Sequence, residues 1–445
     1  METDNGETQT KRGLGLVLRA LKYRNYRLFF FGQSVSLIGT WMQMAAVSWL
    51  VYRITGSVFY LGLVSFCDSF PVFLGAPFAG VIADRISRRQ IVILTQIFSM
   101  IQAFILAGLM FFDSITLTLI ILLSLFKGVV NAFDMPSRQA FVYEMVDNDE
   151  DLPNAIALNS MVFNLARLLG PPIAGFIIAF RGETACFFIN GISFLAVIFS
   201  LYAMKLTRSP GVKHNGPILA GIKDGLKYAL GFIPIRTALI YTALMSLVAI
   251  PYAVLMPVFA KTILHGSSKD YGFLLGSVGI GAFLGALFLA QRKTVQGLEK
   301  VVVLAAAVFA VGIIGFSFSR ILWLSILLAA LPGFGIMVQM ASINTILQTL
   351  VDDDKRGRVL SLHVMAFIGM MPFGNLLAGT VAQHIGSPNT MLLVGLCSIA
   401  VMIFFARQLP AIRKMIHPVY IRKGIMPQMA EGLNTASMIV TEAKD

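Results

Sequence analysis

Long apolar runs alternate with short polar breaks along this chain. A helix needs about 20 predominantly apolar residues to cross a bilayer core. By that measure the pattern predicts twelve spans, at roughly 28–52, 57–83, 90–112, 115–134, 154–180, 183–204, 237–263, 271–291, 299–318, 321–346, 358–384 and 388–408. The fourth and tenth have soft ends. Pro and Gly fall inside several, which membrane helices tolerate because neighbouring groups re-satisfy the freed backbone.

Composition agrees with an all-α membrane protein. Of 445 residues, 57% are hydrophobic and 13% charged; soluble proteins carry about 25% charged residues. Mean hydropathy is +0.79. A net charge of +13 would suggest nucleic acid in a soluble chain, but here its distribution gives another reason. With both termini on one side, 28 Lys and Arg fall on that side and five (Arg53, Arg181, Lys261, Lys269 and Arg320) on the other. Lys127 and Arg167 remain inside spans. Basic loops stay in the cytoplasm, so both termini are expected there and no nucleic-acid partner is implied. Residues 1–27 lack the apolar core of a signal peptide. Cys67, Cys186 and Cys397 lie in apolar runs with neither disulfide nor metal spacing.

The breaks organise the chain into a cytoplasmic segment 1–27, a six-helix bundle 28–204, a linker 205–236, a second bundle 237–408 and a cytoplasmic tail 409–445. Within the linker, 218–230 reads as an amphipathic helix at the membrane surface. The halves repeat. Leu74-Gly75-Ala76-Pro77-Phe78 corresponds to Leu284-Gly285-Ala286-Leu287-Phe288 at an offset of 210, and Ile173-Ala174-Gly175 to Leu377-Ala378-Gly379 at 204.

Between the second and third spans runs Gly80-Val81-Ile82-Ala83-Asp84-Arg85-Ile86-Ser87-Arg88-Arg89-Gln90. The chain must turn in water here, since bare backbone polar groups cost several kcal/mol each in lipid. One reading is a basic cytoplasmic loop; the other is a latch in which Asp84, at a helix end, pairs with an arginine. The stretch resembles the signature loop of the major facilitator superfamily (Gly, any residue, Leu, Ala, Asp, Arg, any residue, Gly, Arg, Lys or Arg). Ile82 replaces the Leu and Ser87 the second Gly, which bears on the tightness of the turn. The position matching Asp84 in the second half is Thr294. The resemblance implies the major facilitator fold, twelve transmembrane helices in two six-helix pseudo-symmetric halves with a site between them near the midplane.

Further stretches narrow it. They are Asn131-Ala132-Phe133-Asp134-Met135-Pro136-Ser137-Arg138-Gln139-Ala140, Asp151-Leu152-Pro153-Asn154-Ala155, Asn164-Leu165-Ala166-Arg167-Leu168-Leu169-Gly170-Pro171, Gly39-Thr40-Trp41-Met42-Gln43 and Arg356-Gly357-Arg358-Val359. Together they are similar to the bacterial transmembrane secretion-effector branch, which includes the enterobactin exporter and macrolide efflux proteins. That resemblance, over roughly residues 20–410, implies proton-driven export of a small molecule from a bacterial inner membrane and names no substrate.

A charge inside lipid is a functional candidate because it costs at least about 2.5–3.5 kcal/mol at a helix centre. Asp68 lies about 16 Å into the second span by helical rise. It is either a proton-coupling carboxylate or half of a structural ion pair. Lys127 shares a helix face with Ser124, Asn131 and Asp134 and lies deep enough to meet an anionic substrate. Arg138, four residues after Asp134, is placed to pair with it; both read as structural or gating. Arg167 lies about 20 Å into the fifth span, on a stripe with Ser160, Asn164 and Pro171. It suits an anionic substrate oxygen or a neutralising pair with Asp68. Gly170, Pro171 and Gly175 resemble the fifth-span bend motif of antiporters in this superfamily. The gating latch is Gly80, Asp84, Arg85, Arg88, Arg89, Asp134 and Arg138. Gln43, Lys127, Asn131, Asn164, Arg167, Gln339 and His363 are the substrate-cavity candidates. The eighth-span glycines Gly272, Gly276, Gly281 and Gly285 read as helix packing, since no Lys-Ser/Thr follows as a nucleotide loop requires.

The expected function is therefore secondary active transport, a proton-coupled exporter of a siderophore, macrolide or drug-like compound. The alternative is a lysophospholipid flippase or small-metabolite importer on the same fold, because fold fixes neither direction nor substrate. No nucleophile elbow or His-Glu metal motif supports an enzyme. The expected partners are a small molecule, a proton and the bilayer, with no cofactor and a monomeric state.

Overall fold

The computed structural model describes residues 18–83, 87–205, 226–292, 294–352 and 355–423, with side chains throughout except at 76–83 and 422. Among these residues there is no strand. A 3-10 turn at Arg19–Lys22 leads into α1 (Arg24–Thr55), α2 (Val58–Ala83), α3 (Arg88–Phe111) and α4 (Leu117–Met145). Leu152–Ala203 holds two spans that meet at Gly182, whose φ of 74° and ψ of 178° leave the helix. These are α5 (152–181) and α6 (183–203). The second half runs α7 (Ile233–Ile263), α8 (Ser268–Ala290), α9 (Leu298–Phe318), α10 (Leu322–Leu350), α11 (Arg356–Ile385) and α12 (Ser387–Arg422). Eleven stretches are long and apolar enough to cross a bilayer, one of them the joined α5–α6 pair. The fold is the expected all-α one with twelve spans.

The repeat is built into the backbone. α2 and α8 begin 210 positions apart, at Val58 and Ser268, and so do α3 and α9, at Arg88 and Leu298. α5 and α11 begin 204 apart, at Leu152 and Arg356. Gly182 and Gly386, also 204 apart, both take positive φ with extended ψ, at 74° and 82°. Only glycine enters that region readily. The reversal from α5 to α6 is thus repeated between α11 and α12.

Helices of alternating direction put α1's start, α2's end and α3's start at one end of the molecule, called here the basic end. The two halves touch through α2 with α11 and through α5 with α8. Each seam has a glycine pair at its closest approach. A Cβ on Gly379 would stand 3.0 Å from the Gly62 Cα, and one on Gly175 would stand 3.1 Å from the Gly272 Cα. Gly62 and Gly272 are 210 apart and Gly175 and Gly379 are 204 apart, so the two seams are counterparts under the repeat. Small residues let helices approach this closely. Both seams lie towards the end opposite the basic one. There Trp49 stacks on Tyr271 at 5.6 Å, the Tyr52 and Thr262 hydroxyls share a 2.6 Å hydrogen bond, and Ser57 Oγ donates to Gln383 Oε1 at 3.0 Å.

Three features depart from the sequence reading. α7 is not one rod: it is helical over Ile233–Val248 and Tyr252–Val258 and widens to a π turn at Phe259–Ile263. Pro251 and Pro257 explain this, since each removes a backbone donor. The last helix runs on to Arg422 rather than stopping near 408; Ile412, Ile416 and Tyr420 are buried and Arg413 Nε donates to Glu299 Oε1 at 3.0 Å. At the other terminus, the Arg19–Lys22 turn is docked on the loop before α5. Arg19 and Lys22 reach the Asp151 carboxylate at 2.5 and 2.6 Å, and Asn154 Oδ1 accepts the Ala20 N–H at 3.0 Å. The hydrogen bond to Asp151, then that to Tyr23, raises the Lys22 ammonium above its usual range. Of the linker stretch 218–230, only 226–230 lies within the described residues, where it is helical with Ala229 buried.

Candidate functional site

Three charged residues of α4, Lys127, Asp134 and Arg138, line a small polar cavity inside the first half. Its volume is about 50 Å³ and its lining includes Gln33, Gln43, Gln96, Lys127, Asn131, Asp134 and Arg138. Residues four and seven apart share a helix face, so α4 turns Lys127, Asn131, Asp134 and Arg138 inward together. A buried amide must find partners, and here they come from other helices. Gln43 Nε2 donates to Gln102 Oε1 at 2.8 Å and Asn190 Nδ2 donates to Gln43 Oε1 at 2.7 Å. Both ends of Gln43 are therefore committed among α1, α3 and α6. It is a member of this internal network, not of a space between the halves.

Asp134 engages three side chains. Its Oδ1 accepts from Thr95 Oγ1 at 2.8 Å and Gln96 Nε2 at 2.9 Å, and Arg138 Nε lies 3.2 Å from Oδ2. The latch residues on either side are spread wider. Arg88 Nη1 donates to Glu144 Oε1 at 3.1 Å and Arg89 Nη2 to the Tyr202 carbonyl at 3.2 Å. Gly80 lies in the last turns of α2, and Asp84 and Arg85 lie outside the described residues. Glu144, absent from the sequence reading, was hidden because it falls at a soft span end, where a carboxylate reads as loop.

Asp68 pairs with Lys127, not with Arg167. Lys127 Nζ stands 3.7 Å from Asp68 Oδ1 across α2 and α4, and the Asp68 side chain is 29% exposed. The pairing Arg167–Asp68 is thereby replaced. Helical rise gave both residues mid-membrane depth but could not say which helices adjoin; α2 packs on α4.

Arg167 is left to the seam. Its Nε is buried without a hydrogen-bond partner, and among the described residues no carboxylate pairs with its guanidinium. Its electrostatic neighbour is Tyr252, on the short middle segment of the broken α7. Discontinuous helices present polar groups at mid-membrane sites in transporters. Nearby on α5, Asn164 Nδ2 donates to the Ser160 carbonyl at 2.8 Å. α5 stays helical through Gly170, Pro171 and Gly175; its break comes at Gly182. Gly170 packs against Trp41 of α1, while Pro171, Pro172 and Gly175 face Gly272 and Gly276 of α8. The motif brings α5 into close contact with α1 and α8.

In the second half, Gln339 is fully buried and accepts from the Tyr241 hydroxyl, while its Nε2 has no partner. His363 Nδ1 and Thr242 Oγ1 are 3.3 Å apart. Both residues face α7 from inside that half. Gln339 and His363 are thus brought together with α7, not with Arg167. Among the described residues no group of three His, Cys, Asp or Glu could hold a metal.

The sequence profile of a family described as transmembrane secretion effector matches residues 17–437. The chain belongs to that family. It is a multi-pass membrane transporter of the major facilitator superfamily, and its family and relatives are transporters rather than enzymes. The chain is 28% identical over 381 residues to the staphyloferrin A transporter of Staphylococcus aureus, covering 85% of this chain and 94% of that one. It is 24% identical to the multidrug efflux pump Tap of Mycolicibacterium fortuitum (87% and 94% covered). With macrolide efflux protein A of Streptococcus pyogenes the identity is 22% (86% and 96% covered). In fold it is similar to the nucleoside transporter NupG, at TM-score 0.64, 14% identity and 87% and 99% coverage. It is likewise similar to a bacterial homologue of the human lysosomal transporter Spinster in an inward-facing, unoccupied conformation, at TM-score 0.67, 14% identity and 86% and 96% coverage.

Proposed function

We propose that this transporter exports a small anionic molecule in exchange for protons, by alternating access across a bacterial inner membrane. The observation that carries the reading is Arg167: a guanidinium with an unpartnered buried Nε, beside Tyr252, where α5 meets the other half. A charge held inside a membrane without a counter-ion is costly, and an anionic substrate group would supply what is missing. The excess of Lys and Arg at the basic end supports a cytoplasmic orientation for that end. The halves then meet on the outer side, so the substrate enters Arg167's surroundings from the cytoplasm. Efflux in the names of two relatives supports the direction.

Coupling falls to Asp68. A proton on its carboxylate cancels the charge that holds Lys127, and the α2–α4 contact loosens; loss of the proton restores it. A membrane potential of 100 mV supplies about 2.3 kcal/mol per charge moved, about a 50-fold gradient at 1.4 kcal/mol per decade.

The test is proton flux in proteoliposomes on adding a catecholate siderophore, a macrolide, a cationic dye or a lysophospholipid. We expect a proton signal with the siderophore, at least tenfold reduced in affinity in Arg167→Gln, and no such loss for any dye that is carried. Silence with all four in folded protein, or movement of the lysophospholipid alone without protons, would overturn the reading.

A further inference from the structure

A second cavity lies away from Arg167. It is a groove of about 710 Å³ between the end of α3 and the start of α6, walled by Phe104, Ala107, Met110, Phe111 and Phe188, with Arg181 and Thr184 at its mouth. That volume falls in the range of ordinary small-ligand sites, about 300–1,000 Å³. Both helices belong to the same half, so the groove does not open on the seams between halves and is not a route through them.

The walls are preformed. The Phe104 ring is wedged on the backbone at Gly191, where a Cβ would approach it to 2.6 Å, and meets Phe188 edge-on at 5.7 Å. Gly108 opens the floor: a Cβ there would meet nothing within 4 Å. Phe104 to Phe111 and Arg181 to Phe188 each span seven residues, so the groove descends about 10 Å from its mouth by helical rise.

The mouth carries a free cation. Five basic residues lie at this end of the molecule, and four are engaged. Arg53 Nε reaches Glu183 Oε1 at 2.7 Å, Lys261 lies 5.7 Å from the Tyr52 ring, Lys269 lies 4.4 Å from the Phe180 ring, and Arg320 donates to the Ser317 and Ser319 carbonyls at 3.0 and 2.9 Å. Among the described residues Arg181 has no such partner. The neighbouring acid, Glu183, is already held by Arg53, and no ion pair joins Asp113 to Arg181. Arg181 therefore faces the headgroup level of a bilayer with its five donors unspent, directly above an apolar slot of acyl-chain depth.

We infer that this groove is a resident anionic phospholipid site, with the phosphate on Arg181 and Thr184 and an acyl chain on Phe104, Phe111 and Phe188. Guanidinium and phosphate form two parallel charge-assisted hydrogen bonds, and the phenyl walls exclude water from the chain below. The inference stands apart from the transport reading, since none of these residues lies near Arg167 or Asp68 in the seams and network described above.

The experiment measures thermal stability and native mass spectra of the full chain in detergent, titrated with phosphatidylglycerol, phosphatidylcholine or inorganic phosphate. We expect phosphatidylglycerol to remain bound and to raise the melting temperature, phosphatidylcholine to bind at least tenfold more weakly, and inorganic phosphate to leave the melting temperature unchanged. Arg181→Gln should weaken phosphatidylglycerol at least tenfold, as should Gly108→Leu, which fills the floor while leaving the cation. Arg320→Gln, a cation at the same end, should leave it unchanged. Protection by inorganic phosphate alone would reduce the site to an ion site and overturn the lipid. Equal binding by wild type and Arg181→Gln, both folded as judged by their melting in lipid-free detergent, would overturn the inference outright.

Discussion

Asp68 sits between Gly62 and Phe73 on α2, and both of those residues touch α11. A proton arriving at its carboxylate therefore acts on the very helix that forms one seam. On the proposed mechanism, Asp68→Asn should abolish proton-linked transport while leaving the protein folded, read as uptake driven by a pH gradient against downhill exchange of the same substrate. Normal pH-driven transport in that variant would remove Asp68 from the mechanism. Lys127→Met should share the defect, and the double variant should be little worse than either, because interacting residues are not additive. The depths of Asp68, Lys127 and Arg167 were legible in the sequence, since a charge in an apolar run is conspicuous. Their partners were not. Which helix adjoins which is a property of the packed bundle, and a rise of about 1.5 Å per residue gives depth without azimuth. Tyr252 shows the same limit: the signal lay in Pro251 and Pro257 rather than in the tyrosine.

Among the elements, the glycine-lined faces of α2, α5, α8 and α11 and the docked Arg19–Lys22 turn have separate tests. Gly272→Leu would drive a side chain into the Pro171 carbonyl, against which even a Cβ stands at 2.9 Å. We expect it to hold the halves apart at the end opposite the basic one, lowering substrate affinity measured from the basic side, whereas Gly297→Ala, on a loop, should not. The terminal turn rests on Asp151. Asp151→Asn should free it, seen as faster tryptic cleavage after Arg19 and Lys22. The hydrogen bond to Asp151 raises the Lys22 ammonium above its usual range, so its share of the docking is complete at neutral pH and is lost only as pH rises through the raised value. Protection in the wild type should accordingly be flat across neutral pH. The spans themselves were legible because about 20 apolar residues leave few alternatives. The break in α7 and the run-on of α12 to Arg422 were not, since neither changes hydropathy enough to register.

For the whole molecule, the glycine pairs and rim contacts between halves lie towards one end, and opening there is the step that the proposed alternating access requires. Ser57→Cys with Gln383→Cys replaces the 3.0 Å hydrogen bond between their side chains at an exposed rim. Oxidation should arrest transport and reduction should restore it; transport that continues through the cross-linked pair would mean that this rim never parts. The two-fold character of the chain was visible beforehand in the 210 and 204 offsets, but their meaning was not. Only the structure shows that Gly62 meets Gly379 and that Gly175 meets Gly272, the four positions the offsets relate. Side chains that interlock must surrender and regain rotamer freedom each time they part, about 0.5–2 kcal/mol for the longer ones. Glycines have none to surrender. The glycine contacts can come apart and re-form many times without resetting a χ angle, so the rotamer cost of opening falls on the side chains that interlock beside them, Trp49 with Tyr271 and Phe66, Phe70 and Phe73 with Phe373.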